Sequence, residues 1–196
     1  MKIKISPSLP LFLLSIALSK DVTTMLIPIA AAFIHECGHL IAARGLNIPI
    51  KAMRLGIFGA AIDTDMLRCS YGKEIILSLC GPLANIISAF VIYFCFGAAH
   101  RHSVLFITAS VFLAALNLLP AGSFDGGRIF SSFLYMHLSP CYAARISEAV
   151  SFLVFLTLWI ASVYFILKTG AYLSLFIFSW SLFVRLFIFS NKNSSV

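Results

Sequence analysis

The stretch from Thr24 to Ala43 constrains this chain more than any other, because its apolar run is interrupted only by His35, Glu36 and His39. A helix of about 20 residues spans the roughly 30 Å hydrocarbon core of a bilayer. Backbone amides in hydrocarbon must bond one another, so such a run folds as a membrane helix. Five further apolar segments, over 5–19, 74–98, 103–119, 146–167 and 171–189, repeat the pattern. The expected fold is therefore an all-α membrane protein. It has about six transmembrane helices in a single domain over 1–196, and a small β-hairpin or re-entrant segment after the second. Composition agrees: only 11% of residues are charged, against about 25% in soluble domains.

Net charge is +7, but the basic residues are scattered at the ends of apolar runs, where they set topology rather than bind nucleic acid. With the N-terminus in the cytoplasm, only Lys20, Arg101 and Lys168 of the 14 Lys and Arg fall on the outer side. Both termini are therefore expected in the cytoplasm of a multi-pass protein of a bacterial cell membrane. The N-terminal run lacks a clean small-x-small cleavage site and reads as a retained first span. The five cysteines form no C-x-x-C pair and read as small buried hydrophobes without disulfides.

His35 and His39 are four residues apart, so a helix carries both rings on one face. Two imidazoles so placed can share one Zn²⁺ and leave room for a third ligand and a water. Glu36 stands beside the first histidine, where it can take a proton from that water. Taking 1.5 Å per residue, His39 lies about 6 Å and His35 about 12 Å below the cytoplasmic end of the span. A polar patch that bonds a neighbouring helix is the plainer alternative. Ionisable groups are costly in hydrocarbon and seldom sit there without a task.

Asn47-Ile48-Pro49 ends any helix, and the glycines and apolar residues of 53–63 suit short extended pieces. In the third apolar segment Gly81-Pro82 kinks the helix and frees a backbone carbonyl, and Asn85 is polar at membrane depth, where bonding to another helix is the plainer reading. The fourth segment runs into Asn117-Leu118-Leu119-Pro120, and glycines 122, 126 and 127 permit a tight re-entry around Asp125. Asp125 falls on the same side as the histidines and is a normal third zinc ligand; a helix-capping aspartate is the alternative.

Three motifs stand in order: His35-Glu36-Cys37-Gly38-His39, then Gly81-Pro82-Leu83-Ala84-Asn85, then Asn117-Leu118-Leu119-Pro120 leading to Asp125-Gly126-Gly127. Together they resemble the site-2 protease family of intramembrane zinc metalloproteases. The likeness is strongest to the short bacterial branch that processes a membrane-tethered pro-sigma factor during sporulation, without its nucleotide-sensing domain. Ser123-Phe124 stands where the family often has Pro-Leu. The resemblance implies His35, His39 and Asp125 as zinc ligands and Glu36 as catalytic base. It also implies that Asn117 and the 53–63 segment, with Gly59, hold substrate; Asn85 is placed in the same group. The expected reaction is hydrolysis of a peptide bond in or near a transmembrane segment of a membrane-tethered protein, releasing a cytoplasmic fragment such as a sigma or transcription factor. The other expected partners are the lipid bilayer and a regulatory membrane protein or a second copy of the chain. The competing class is a six-span metal transporter or a non-catalytic metal-binding adaptor. It would call for further polar residues along a path through the membrane, and the last two apolar segments show few.

Overall fold

The structure, a computed structural model, describes residues 2–5, 22–48, 50–56, 59–64, 70–97, 99–122 and 124–169. The fold is helical. Five helices follow in order: α1 (Val22–Gly45), α2 (Tyr71–Phe96), α3 (Arg101–Asn117), α4 (Asp125–His137) and α5 (Pro140–Thr169). The backbone of Lys2–Ile5 (β1), Ile50–Gly56 (β2) and Gly59–Thr64 (β3) is extended. β1 runs parallel to β2, and β2 antiparallel to β3 with Gly56 opposite Gly59. Residues 57–58, where a hairpin would turn, lie outside the described residues.

Among the described residues three helices are long and apolar enough to cross a membrane: Leu26–Gly45, Tyr71–Phe96 and Pro140–Tyr164. The segment expected over 103–119 forms the 17-residue α3, which at 1.5 Å per residue reaches only about 25 Å. Leu118 still donates to the Ala114 carbonyl, and the helix ends there because Pro120, two residues on, has no N–H to continue it. The spans expected over 5–19 and 171–189 lie outside the described residues, Ile5 apart.

Helix ends follow local chemistry. Arg44 sits in the last turn of α1, where a cation complements the helix dipole. Past Gly45 the chain turns through Asn47 at φ 54°, the left-handed conformation that asparagine tolerates well, and Leu46 and Ile48 donate to the Ala42 and Ala43 carbonyls. Glu74 occupies the first turn of α2, and Gly97, at φ 65°, closes its end by donating to the Tyr93 carbonyl. Pro140 opens α5 at a position where a missing N–H costs nothing.

The chain divides into two compact units, Met1–Leu118 and Leu119–Val196. In the first, α1, α2 and α3 pack on one another and β3 lies against α1. Its burial pattern is the reverse of a water-soluble core. Large apolar side chains such as Phe33, Ile41, Ile87, Phe90 and Phe94 are exposed, while Ala31, Ala43, Ser78, Asn85 and Ser110 are buried. Lipid leaves no hydrophobic drive between helices, so small and polar residues make the interfaces and apolar ones face the tails. Gly38 is the clearest case. A Cβ there would collide with the Cys80 carbonyl oxygen and stand 2.8 Å from the Ala84 Cβ, so the glycine lets α1 and α2 approach.

In the second unit α4 packs on α5, with Ala121 and Phe155 at the centre and Phe124, Val154 and Leu158 around them. Gly122 donates its N–H to Ser151 Oγ at 3.0 Å. A Cβ at Gly127 would run into the Ala121 carbonyl. The tight turn therefore needs glycine there, and it sets Asp125 as the first residue of α4.

Candidate metal centre

The site grows from α1. One helical turn separates His35 and His39, and both are buried. Their rings meet edge to face, with centroids 4.8 Å apart and planes at 85°. The two Nε2 atoms are 3.2 Å apart. Each ring's other nitrogen is engaged by α2. His39 Nδ1–H donates to the Leu77 carbonyl oxygen at 2.8 Å, and the Asn85 side-chain Nδ2 lies 3.3 Å from His35 Nδ1. A neutral imidazole has one N–H and one lone pair, so the Leu77 bond leaves the His39 lone pair on Nε2.

Gly81 makes the room. A Cβ there would collide with His39 Nε2 and stand 2.9 Å from His35 Cε1. Leu77, Gly81 and Asn85 are spaced by four, so α2 presents a carbonyl, a gap and an amide along one face. Pro82 follows the gap and has no N–H to offer the Ser78 carbonyl.

The donor set suits a divalent metal. Two imidazoles converge through Nε2, and the remote nitrogen of His39 is held by a carbonyl, an arrangement that orients metal-binding histidines. Glu36 is half-buried and adjacent to His35 on α1. Cys37 is also half-buried, and the four described cysteines, Cys37, Cys80, Cys95 and Cys141, are free thiols.

The other residues singled out in the sequence stand as follows. Asp125 is buried in the first turn of α4, in the second unit. Asn117 is the last residue of α3, and its Nδ2 donates to the Leu113 carbonyl one turn back at 3.0 Å. Gly59 opens β3. Asn85, grouped in the sequence with the substrate-holding residues, is completely buried beside His35. The Leu77 carbonyl and the Gly81 gap carry no motif of their own. Their only sequence signal is the four-residue spacing through Gly81 to Asn85, which shows a shared face but not what the face meets.

Residues 23–102 match Peptidase family M50, a stretch that includes both histidines, Glu36 and the whole of α2. No curated protein matches the chain in sequence. Among solved structures, the chain is similar to the site-2 protease from Methanocaldococcus jannaschii, with a TM-score of 0.69 and 18% identity over 94% of this chain and 88% of that one. At that identity the likeness concerns the fold. The family match and the fold together bear out the resemblance to site-2 proteases and support a membrane metallo-endopeptidase.

Proposed function

We propose that this chain, with its Peptidase family M50 match and site-2 protease fold, is an intramembrane zinc protease. Its proposed substrate is a membrane-tethered protein, cut in or near a transmembrane segment to release a cytoplasmic fragment. The observation that carries the reading is the pair of buried histidines on an apolar helix, with Nε2 atoms 3.2 Å apart.

His35 and His39 would hold the metal through Nε2, and Asp125 is proposed from the sequence resemblance as the third ligand; two imidazoles and a carboxylate are a frequent catalytic zinc set. When bound, the metal supplies Lewis acidity, polarising the scissile carbonyl and bringing a bound water's pKa to about 7. Glu36 then acts as general base. Its carboxylate takes one proton from the attacking water as the new C–O bond forms, and delivers it to the amide nitrogen as the C–N bond breaks. The carboxylate is regenerated, and the products are a carboxylic acid and an amine.

A transmembrane substrate has all its amides bonded within its own helix, so it must unwind locally to be cut. The 53–63 segment, with Gly59, is proposed to add the unwound stretch as a strand and to replace its lost hydrogen bonds. The Asn117 carbonyl oxygen is a proposed further contact to the exposed backbone. The six-span arrangement with both termini in the cytoplasm of a bacterium remains part of the proposal.

The test co-expresses the protein with single-span membrane proteins bearing cytoplasmic domains and compares wild type with Glu36→Gln, with metal content measured in both. Fragment release that needs Glu36, with zinc retained in Glu36→Gln, supports the reading. Zinc in both without release from any substrate favours metal transport. Absence of zinc from wild type purified without chelators overturns the site.

A further inference from the structure

The hydrogen bonding around Asn85 points beyond substrate contact. Its side chain is completely buried between helices. Its Nδ2 faces His35 Nδ1 at 3.3 Å, while its Oδ1 is buried with no hydrogen-bond partner. A buried amide that satisfies its N–H end and strands its acceptor is an unfavourable arrangement. A half-turn of the amide exchanges the two ends within the same space. Oδ1 then stands where Nδ2 stood and can accept a proton from His35 Nδ1.

The two amide orientations select different tautomers of His35. With the amide N–H donating to Nδ1, neutral His35 carries its proton on Nε2 and can donate to His39 Nε2, 3.2 Å away. His39 in turn donates through Nδ1 to Leu77. In that orientation neither ring nitrogen of His35 has a lone pair left for a metal. With Oδ1 accepting from Nδ1–H, the His35 lone pair moves to Nε2, beside the Nε2 lone pair of His39. Two lone pairs at that separation repel unless a cation stands between them. The second orientation is therefore the metal-binding one.

We propose that Asn85 is a positioning residue for His35: its side-chain carbonyl holds His35 Nδ1–H so that Nε2 faces the metal. Leu77 does the same for His39 through its backbone carbonyl. The difference is that the backbone carbonyl holds one tautomer, whereas the side-chain amide can serve both. Complete burial keeps Asn85 from a substrate unless α1 and α2 part. The proposal rests on the metal reading of His35 and His39.

The test uses the full chain in detergent, stripped of metal, with zinc affinity measured by competition against a chelator for wild type, Asn85→Leu and Asn85→Asp. Leucine fills the space without an acceptor, and the expected loss is about 10–100-fold in affinity. Aspartate accepts from Nδ1–H and is expected to bind zinc at least as tightly as wild type. In ¹⁵N-histidine spectra, simplified by the chain's five histidines, zinc-loaded wild type is expected to show His35 bound through Nε2, with a slowly exchanging Nδ1–H that Asn85→Leu loses. Wild-type affinity in Asn85→Leu overturns the proposal, as does an Asn85→Asp affinity as weak as that of a folded leucine variant. If the leucine variant does not fold, the wild-type spectrum decides: His35 bound through Nδ1 overturns the proposal. Wild type that binds no zinc overturns the metal reading itself, whereas zinc binding indifferent to Asn85 overturns only the positioning role.

Discussion

His39 Nδ1 donates to the Leu77 carbonyl oxygen at 2.8 Å, so a backbone atom of α2 decides which nitrogen of a histidine on α1 keeps its lone pair. The bond joins residues 38 apart in the chain and makes the docking of two helices a condition for the proposed metal site.

Gly81→Ala tests that condition. The added methyl meets His39 Nε2 and His35 Cε1 and must push the rings out of line. Zinc affinity is expected to fall about 10–100-fold, as when outer partners of a metal site are lost. Overpacking costs about 1–3 kcal/mol and alanine propensity offsets about 1 kcal/mol of it, so chelator competition on the folded variant reads the loss at the site. Unchanged affinity would mean that the rings have room to move.

Glu36→Gln separates chemistry from binding. Glutamine keeps the volume and removes the base, so zinc content should be unchanged while cleavage falls by about 10²–10⁴-fold or more. Cleavage within a few-fold of wild type would assign the proton transfer elsewhere.

His39→Ala removes a proposed ligand and leaves the Leu77 carbonyl without its donor. Purified protein is expected to hold much less than one zinc per chain and to show no cleavage. A full zinc complement in this variant would exclude His39 as a ligand.

Gly38→Leu attacks the packing rather than the site. Even a Cβ at this position collides with the backbone oxygen of Cys80, and a backbone carbonyl cannot swing aside. Overpacking of this kind costs about 1–3 kcal/mol. Unfolding in mixed micelles should report it, with zinc lost only as a consequence. Equal stability would show that α1 and α2 separate freely.

Zinc removal by a strong chelator should abolish cleavage, and added Zn²⁺ should restore it. Added Mg²⁺ should not, because imidazole suits zinc and magnesium prefers all-oxygen ligands. Cleavage that persists after complete removal would exclude a metal-dependent hydrolysis.

Much of the unit that carries the histidines is legible in the chain. Apolar runs place α1 and α2, and Asn47 with Pro120 marks where helices stop, because those signals depend on local backbone chemistry. The 103–119 run folds as the apolar helix its composition suggests, and Pro120 sets its end, so the helix is 17 residues long. Apolarity measures preference for lipid but not where hydrogen bonding ends.

The sequence by itself determined that His35, Glu36 and His39 lie on one helix, with both rings on one face, in a chain built for a bilayer. Four-residue spacing and hydrophobic length suffice for that. Only the tertiary structure decided that Leu77 holds His39, that Gly81 makes room for both rings and that Asn85 meets His35 rather than solvent. Those relationships join residues 38 and 50 apart. They follow from how closely α1 and α2 dock at Gly38 and Gly81, a distance that no local propensity encodes.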